Sequence, residues 1–153
     1  IYKKQKKDIF EGLYKGKSRL NKYKKFIMIF PGFREPLGMK IGFENYCSEY
    51  AIDYEIISEF TDNEITIGGV YIIPNDRDLV RVIEKARQQN LKLGTDFGII
   101  SYNETPLKKV VSNGITTIST DFTTMGKLLA QMVLTGKKEQ IENKSALIIR
   151  NSL

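Results

Sequence analysis

Short apolar runs alternate with amphipathic stretches along most of the chain. Phe26, Ile27, Met28, Ile29 and Phe30 form one continuous run, and residues 70–73 and 97–100 form two more. Runs of this length, bounded by Pro, Gly or polar clusters, predict strands covered on both faces. Between the second and third runs, Leu79, Val82, Ile83 and Ala86 recur at i, i+3, i+4, i+7 spacing. That spacing predicts a helix with one apolar face, capped by Asn75-Asp76 and ending near Asn90. Residues 68–104 therefore predict a complete strand–helix–strand unit, whose strands pair in parallel. Both strands then end on one edge of the sheet, which puts Asn75-Asp76-Arg77 beside Tyr102-Asn103-Glu104. In open α/β sheets that carboxyl edge is where ligands bind.

The flanking segments extend the pattern. Residues 3–17 predict a helix with Ile9, Phe10, Leu13 and Tyr14 inward, weakened by Gly12 and Gly16. The 26–30 strand ends at Pro31-Gly32-Phe33-Arg34-Glu35-Pro36, a third turn-rich cluster. Residues 37–50 predict a helix with Met39, Phe43, Tyr46 or Cys47, and Tyr50 on one stripe. A short strand follows at 53–57. Only about nine residues, 58–66, then precede the next strand, where a parallel crossover usually needs a dozen or more. The spacing predicts a crossover helix that is lost or reduced to a stub. Residues 105–114 predict a loop or short helical turn carrying Leu107, Val110 and Val111. Residues 116–119 are a short extended piece. Asp121 can cap a helix whose apolar face is Phe122, Met125, Leu128, Leu129, Met132 and Val133, with Gly136 as its stop. Residues 146–149 are a last strand. The whole predicts one three-layer α/β/α domain with a mostly parallel sheet.

Composition narrows the chemistry. The chain has 153 residues, enough for one α/β domain with a real core. It opens on Ile1 rather than Met, as expected of a segment of a longer protein. The single cysteine, Cys47, excludes an internal disulfide and a cysteine-based zinc site, and reads as core packing. The absence of histidine removes the commonest general base and metal ligand, so neither metal nor cofactor is expected. Net charge is +6, with ten cations in the first 25 residues, Lys3 and Lys4 among them. They read mainly as the solvated face of an amphipathic helix, and otherwise as a surface for an acidic partner. No run approaches the roughly 18 apolar residues of a membrane span, and no signal peptide opens the chain, which together predict a cytoplasmic protein. Asp76 and Glu104 could pair as carboxylates of an enzyme site, although one helix cap and one loop acid account for them more simply. No phosphate-binding glycine spacing follows Phe30.

The ordered motifs from residue 73 onward resemble the C-terminal half of the effector domain of lactose-repressor/galactose-repressor (LacI/GalR) type regulators. The resemblance rests on Ile73-Pro74-Asn75-Asp76, on Ile99 to Glu104, on Thr116-Thr117-Ile118, on Met125-Gly126 and on the Leu-x-x-Arg-x-Ser ending from Leu147 to Ser152. It spans about 90 residues in matching order, and Gly42-Phe43 extends it more loosely toward the start. It implies one lobe of a type I periplasmic-binding-protein-like fold, in a non-enzymatic sensor that binds a sugar or sugar derivative in a cleft between two lobes. It also implies a homodimer and a DNA-binding head outside this chain, with a gluconate-repressor (GntR) type winged helix as one candidate. A periplasmic transport receptor of the same fold and an interaction-only dimerisation module are the alternatives. Carried over by position, the cleft residues are Met39, Asn75, Asn103 and Thr120, with Asp76, Tyr102 and Glu104 on the same tips and Arg34 in the neighbouring loop. The family's Arg is replaced by Met39 and its Asp by Asn103, which removes a fork-shaped donor and a charged acceptor. Asn75 reads equally as a cleft contact and as a helix cap. Dimerisation maps to residues 77–90 and to Leu107, Val110 and Val111.

Overall fold

The computed structural model describes residues 4–153. The elements run α1 (Gln5–Lys15), α2 (Lys17–Leu20), β1 (Lys25–Ile29), α3 (Leu37–Glu49), β2 (Asp53–Ile57), β3 (Gly69–Ile73) and α4 (Asp76–Gln88). They continue with β4 (Gly98–Tyr102), two 3-10 turns (Leu107–Lys109 and Val111–Asn113), β5 (Thr116–Thr120), α5 (Phe122–Thr135) and β6 (Ser145–Ile148). Lys3, where the first helix was expected to start, lies outside the described residues. The six strands form one sheet in the order β2-β1-β3-β4-β5-β6. Every pairing is parallel except β5–β6, which is antiparallel.

The central strands are apolar throughout because both faces are covered. On one face α1 and α3 pack over Phe26, Met28, Val70, Ile72, Ile100 and Ile118. The glycines expected to weaken α1 make this layer possible. A β-carbon at Gly12 would fall 2.6 Å from Ile118 Cδ1, so the helix lies directly on the sheet. At Gly42 of α3 a β-carbon would collide with the carbonyl oxygen of Lys6, so α1 and α3 cross backbone to backbone. Tyr14 differs from the inward position expected of it. It is exposed and stacks on Tyr50 with ring centroids 6.2 Å apart, because α1 turns only its Ile9 and Leu13 stripe to the core.

On the other face α4 lays Leu79, Val82, Ile83 and Ala86 over Ile27, Ile29, Tyr71, Ile73 and Ile99. The connection from β2 to β3 carries no helix. In its place Phe60 and Ile65 are buried against this face. The connection is pinned by Ile65 N–H donating to Gln89 Oε1 at 2.9 Å and Thr66 N–H donating to the Tyr71 hydroxyl at 3.0 Å. Two buried side chains and two hydrogen bonds thus substitute for a crossover helix. Among the described residues no helix is long and apolar enough to cross a membrane.

α5 stands apart. Asp121 caps its start by accepting from Thr124 N–H at 2.9 Å, and Gly136 ends it in the left-handed conformation (φ +66°). Yet none of its side chains is buried. Phe122 is 50% exposed, Val133 81% and Leu134 86%.

Candidate functional site

The carboxyl edge of the parallel strands collects the tips singled out by the sequence. Its β3–β4–β5 half is closed by internal bonds. Asn75, at the end of β3, spends its whole amide on α4. Its Oδ1 accepts from Asp78 N–H and its Nδ2 donates to Asp78 Oδ2, both at 2.8 Å. Asp78 is buried and also accepts from Phe60 N–H at 3.5 Å, with Arg81 Nη1 3.8 Å away. The cap therefore reaches across to the shortened β2–β3 connection.

Lys108 ties the tips of β3 and β4 together. Only 3% exposed, it comes from the first 3-10 turn. Its Nζ donates to the carbonyl oxygens of Tyr102 and Asn103 at 2.9 Å each, and lies 3.0 Å from Asp76 Oδ1. A lysine in a polar loop gives no sequence signal for such a role, since most are solvated. Buried ammonium groups need this many oxygen partners to offset lost hydration.

Asn103 adopts φ +63°, a conformation Asn tolerates better than most residues. Its N–H donates to Ile118 O at 2.9 Å, and its Oδ1 is buried without a hydrogen-bond partner among the described residues. Glu104 receives Arg150 Nη2 at 2.5 Å and the Thr117 hydroxyl at 3.3 Å, while its N–H donates to Ser119 Oγ at 2.8 Å. Asp76 and Glu104 thus each face their own cation. Arg150 and Ser152, from the chain's ending, are structural in this setting. Ser152 Oγ donates to Ile99 O at 2.6 Å and accepts from Thr116 N–H at 2.7 Å, fastening the tail beneath β4 and β5.

Tyr102 and Thr120 point to the α1 side of the sheet. Both are buried, and the Tyr102 hydroxyl and Thr120 Oγ1 lack a hydrogen-bond partner among the described residues. Burial pushes the Tyr102 hydroxyl up to about 12, with the negative charge of Asp8 adding to the shift and Ser145 opposing it. Met39 is buried in the core with Phe43 and Tyr46.

The β1–β2–β3 half of the edge is open. A cavity of about 680 Å³ lies there. The loop after β1 supplies Phe33, Arg34 and Glu35, the segment after β2 supplies Ser58 and Glu59, and α4 supplies Asn75, Arg77 and Arg81. Arg34 and Asn75 therefore share one cavity. The sequence placed both on this edge but gave no sign that Arg77 and Arg81 would join them. Leu107 and Val110, on the loop that carries Lys108, are exposed, whereas Val111 packs against the α4-side core.

Residues 21–153 match the model of the periplasmic binding protein-like domain. The chain belongs to that family. Its fold is that of the effector domains of LacI-family regulators. The transcriptional repressor ascG of Escherichia coli superposes with a TM-score of 0.78 at 11% identity, over 100% of this chain and 63% of that one. A sugar-binding LacI-family regulator from Escherichia coli, described as complexed with phosphate, gives 0.77 at 11% identity, over 100% and 62%. A periplasmic binding protein/LacI transcriptional regulator from Alkaliphilus metalliredigens, complexed with D-xylulofuranose, gives 0.68 at 15% identity, over 95% and 63%. The chain spans about three fifths of the length of these regulators. A comparison with curated protein sequences finds no match.

Proposed function

We propose that this periplasmic-binding-protein-like chain is the effector-binding and dimerising lobe of a cytoplasmic DNA-binding transcription regulator, with a sugar or sugar derivative as effector. The observation that carries the reading is the open carboxyl edge, where a cavity beside Asn75 adjoins tips held in fixed positions by Lys108 and Asp78. Ligands of open α/β sheets bind at this edge. Similar regulators described as complexed with D-xylulofuranose and with phosphate support a small polyhydroxylated or anionic ligand. In this reading Asn75, Asn103, Thr120, Arg34 and the backbone around Met39 border the cleft. Asp76, Tyr102 and Glu104 hold its floor in shape. A second lobe and a DNA-binding head, of GntR or another type, complete the protein.

Effector binding then changes lobe closure and the spacing of two heads in a dimer, a rigid-body transition coupled through the subunit interface. The exposed Leu107 and Val110, with residues 77–90 of α4, form the pairing surface. The test is a thermal-shift screen of the full-length protein against sugars and their derivatives. A ligand at about a hundred times its Kd stabilises by about 2.7 kcal/mol. For a domain of this size that raises the Tm by roughly 5–10 °C. A screen without any shift counts against the sensing role. Sedimentation of Val110→Glu tests the pairing surface, with dissociation expected and an unchanged profile opposing it.

A further inference from the structure

We propose that the cavity beside β1, β2 and β3 takes a small polyol bearing an oxyanion, a phosphate ester or a carboxylate, held by Arg34 and Arg77. This rests on the effector-sensing reading of the same edge and names its ligand class. Three guanidinium groups line the cavity and no lysine does. Arg81 is occupied, donating to Phe60 O at 3.3 Å and facing the buried Asp78. Arg34 and Arg77 have no side-chain hydrogen bond or ion pair among the described residues, although Glu35 and Glu59 line the same space. Glu35 instead accepts the backbone N–H of Arg34 at 3.3 Å, within its own loop.

The cavity thus presents two unpaired forked donors and two carboxylates that do not neutralise them. A plain sugar would leave both guanidinium groups without a counter-charge, and a simple anion would meet the two carboxylates. A polyol with one oxyanion satisfies both sets. Its charged end takes paired N–H donors, which match carboxylate and phosphate geometry, and its hydroxyls donate to Glu35 and Glu59. Phe33, 94% exposed at the rim, offers an apolar face for a sugar ring to lie against. The helix missing between β2 and β3 leaves this space open to solvent. The guanidinium that the sequence lacks at Met39 is thereby supplied from a different place, the start of α4.

Calorimetric titration of the full-length protein with a neutral hexose, a hexose phosphate, a hexuronate and inorganic phosphate tests this. The hexose phosphate or the hexuronate is expected to bind at least about tenfold more tightly than the neutral hexose, and the comparison between the two identifies the oxyanion. Adding about 0.5 M salt should erase most of that preference. Arg77→Ala should abolish the preference without changing the Tm, because Arg77 makes no bond in the fold, and Arg77→Lys should recover only part of it. Equal binding of neutral and anionic sugars, unaffected by Arg77→Ala, overturns the proposal and leaves the sensing role standing. Binding of inorganic phosphate alone overturns it as an adventitious ion only. Failure of every titrant to bind overturns the proposal together with the sensing of sugars.

Discussion

Replacing Lys108 by Met keeps the length of the stem and removes the ammonium. The carbonyl oxygens of Tyr102 and Asn103, each 2.9 Å from Nζ, then lose a charged donor, and Asp76 loses its cation. An orphaned buried acceptor costs about 1–3 kcal/mol. A carbonyl has two lone pairs, so the lower part of that range applies to each, giving about 2–4 kcal/mol for the pair. The ion pair adds little, because the Asp76 side chain is 61% exposed and surface pairs contribute about 0–1 kcal/mol. Lys108→Met should therefore destabilise by about 2–4 kcal/mol, and Asp76→Asn by less than about 1 kcal/mol. Urea unfolding, read as a change in midpoint at constant m, measures both. Equal losses in the two variants would show that the ion pair and not the carbonyl ligation holds Lys108, and would refute the argument.

Burial pushes the Cys47 thiol up to about 12, so it should resist alkylation in the native protein at about pH 8 and react at once in denaturant. Rapid native labelling would mean that α3 opens. The Asp121 carboxylate is held below its ordinary value of 3.8, first by Thr124 N–H and then by the Thr124 hydroxyl. Its folded value is depressed, so its contribution to the start of α5 is present above the unfolded value. That contribution is lost as pH falls through the folded one. Amide exchange at Thr124 should accelerate in that acid window in the parent protein and be fast at all pH values in Asp121→Ala. A parent protein showing no such step would sink the cap assignment.

The layers were legible because local signals agreed. The 26–30, 70–73 and 97–100 runs became β1, β3 and β4, and the shift from an apolar run to 3.6-residue periodicity after Asn75 became α4. Asp121 and Gly136 bound α5 as their side-chain and backbone preferences require. The missing crossover helix was legible from spacing alone, while its replacement by Phe60 and Ile65 was not, since burial depends on what lies opposite. The edge was legible as a place and much less as chemistry. Asn75 and Glu104 read as free polar groups, yet their partners, Asp78 and Arg150, depend on tertiary approach. Lys108 and Arg77 carry opposite roles with the same kind of sequence context. One sits under the tips and the other faces the cavity, and only the path of the chain distinguishes them.

That path also accounts for α5. β5 runs parallel to β4, and β6 returns antiparallel beside it, with Thr120 paired to Ser145. Residues 121–144 therefore leave and re-enter the sheet at one place, on the carboxyl edge that holds the cavity and the tips. A pair of antiparallel strands needs only a short turn. The excursion instead carries a helix with caps at both ends and an apolar face that no other element covers. An exposed apolar face of this kind marks an interaction surface. Since both ends of the excursion lie on the ligand edge, whatever covers α5 also stands over that edge, as a second lobe must if the cleft is to close. Replacing residues 121–144 by a two-residue turn should then leave the lobe folded. The expected loss is about 1–2 kcal/mol, from the Glu142 ion pairs with Lys4 and Lys7 and the Asn143 bond to Asp121 O. In the full-length protein the same deletion should abolish any ligand-induced compaction seen by small-angle scattering. Compaction that survives it would separate α5 from the cleft and assign its apolar face to another partner.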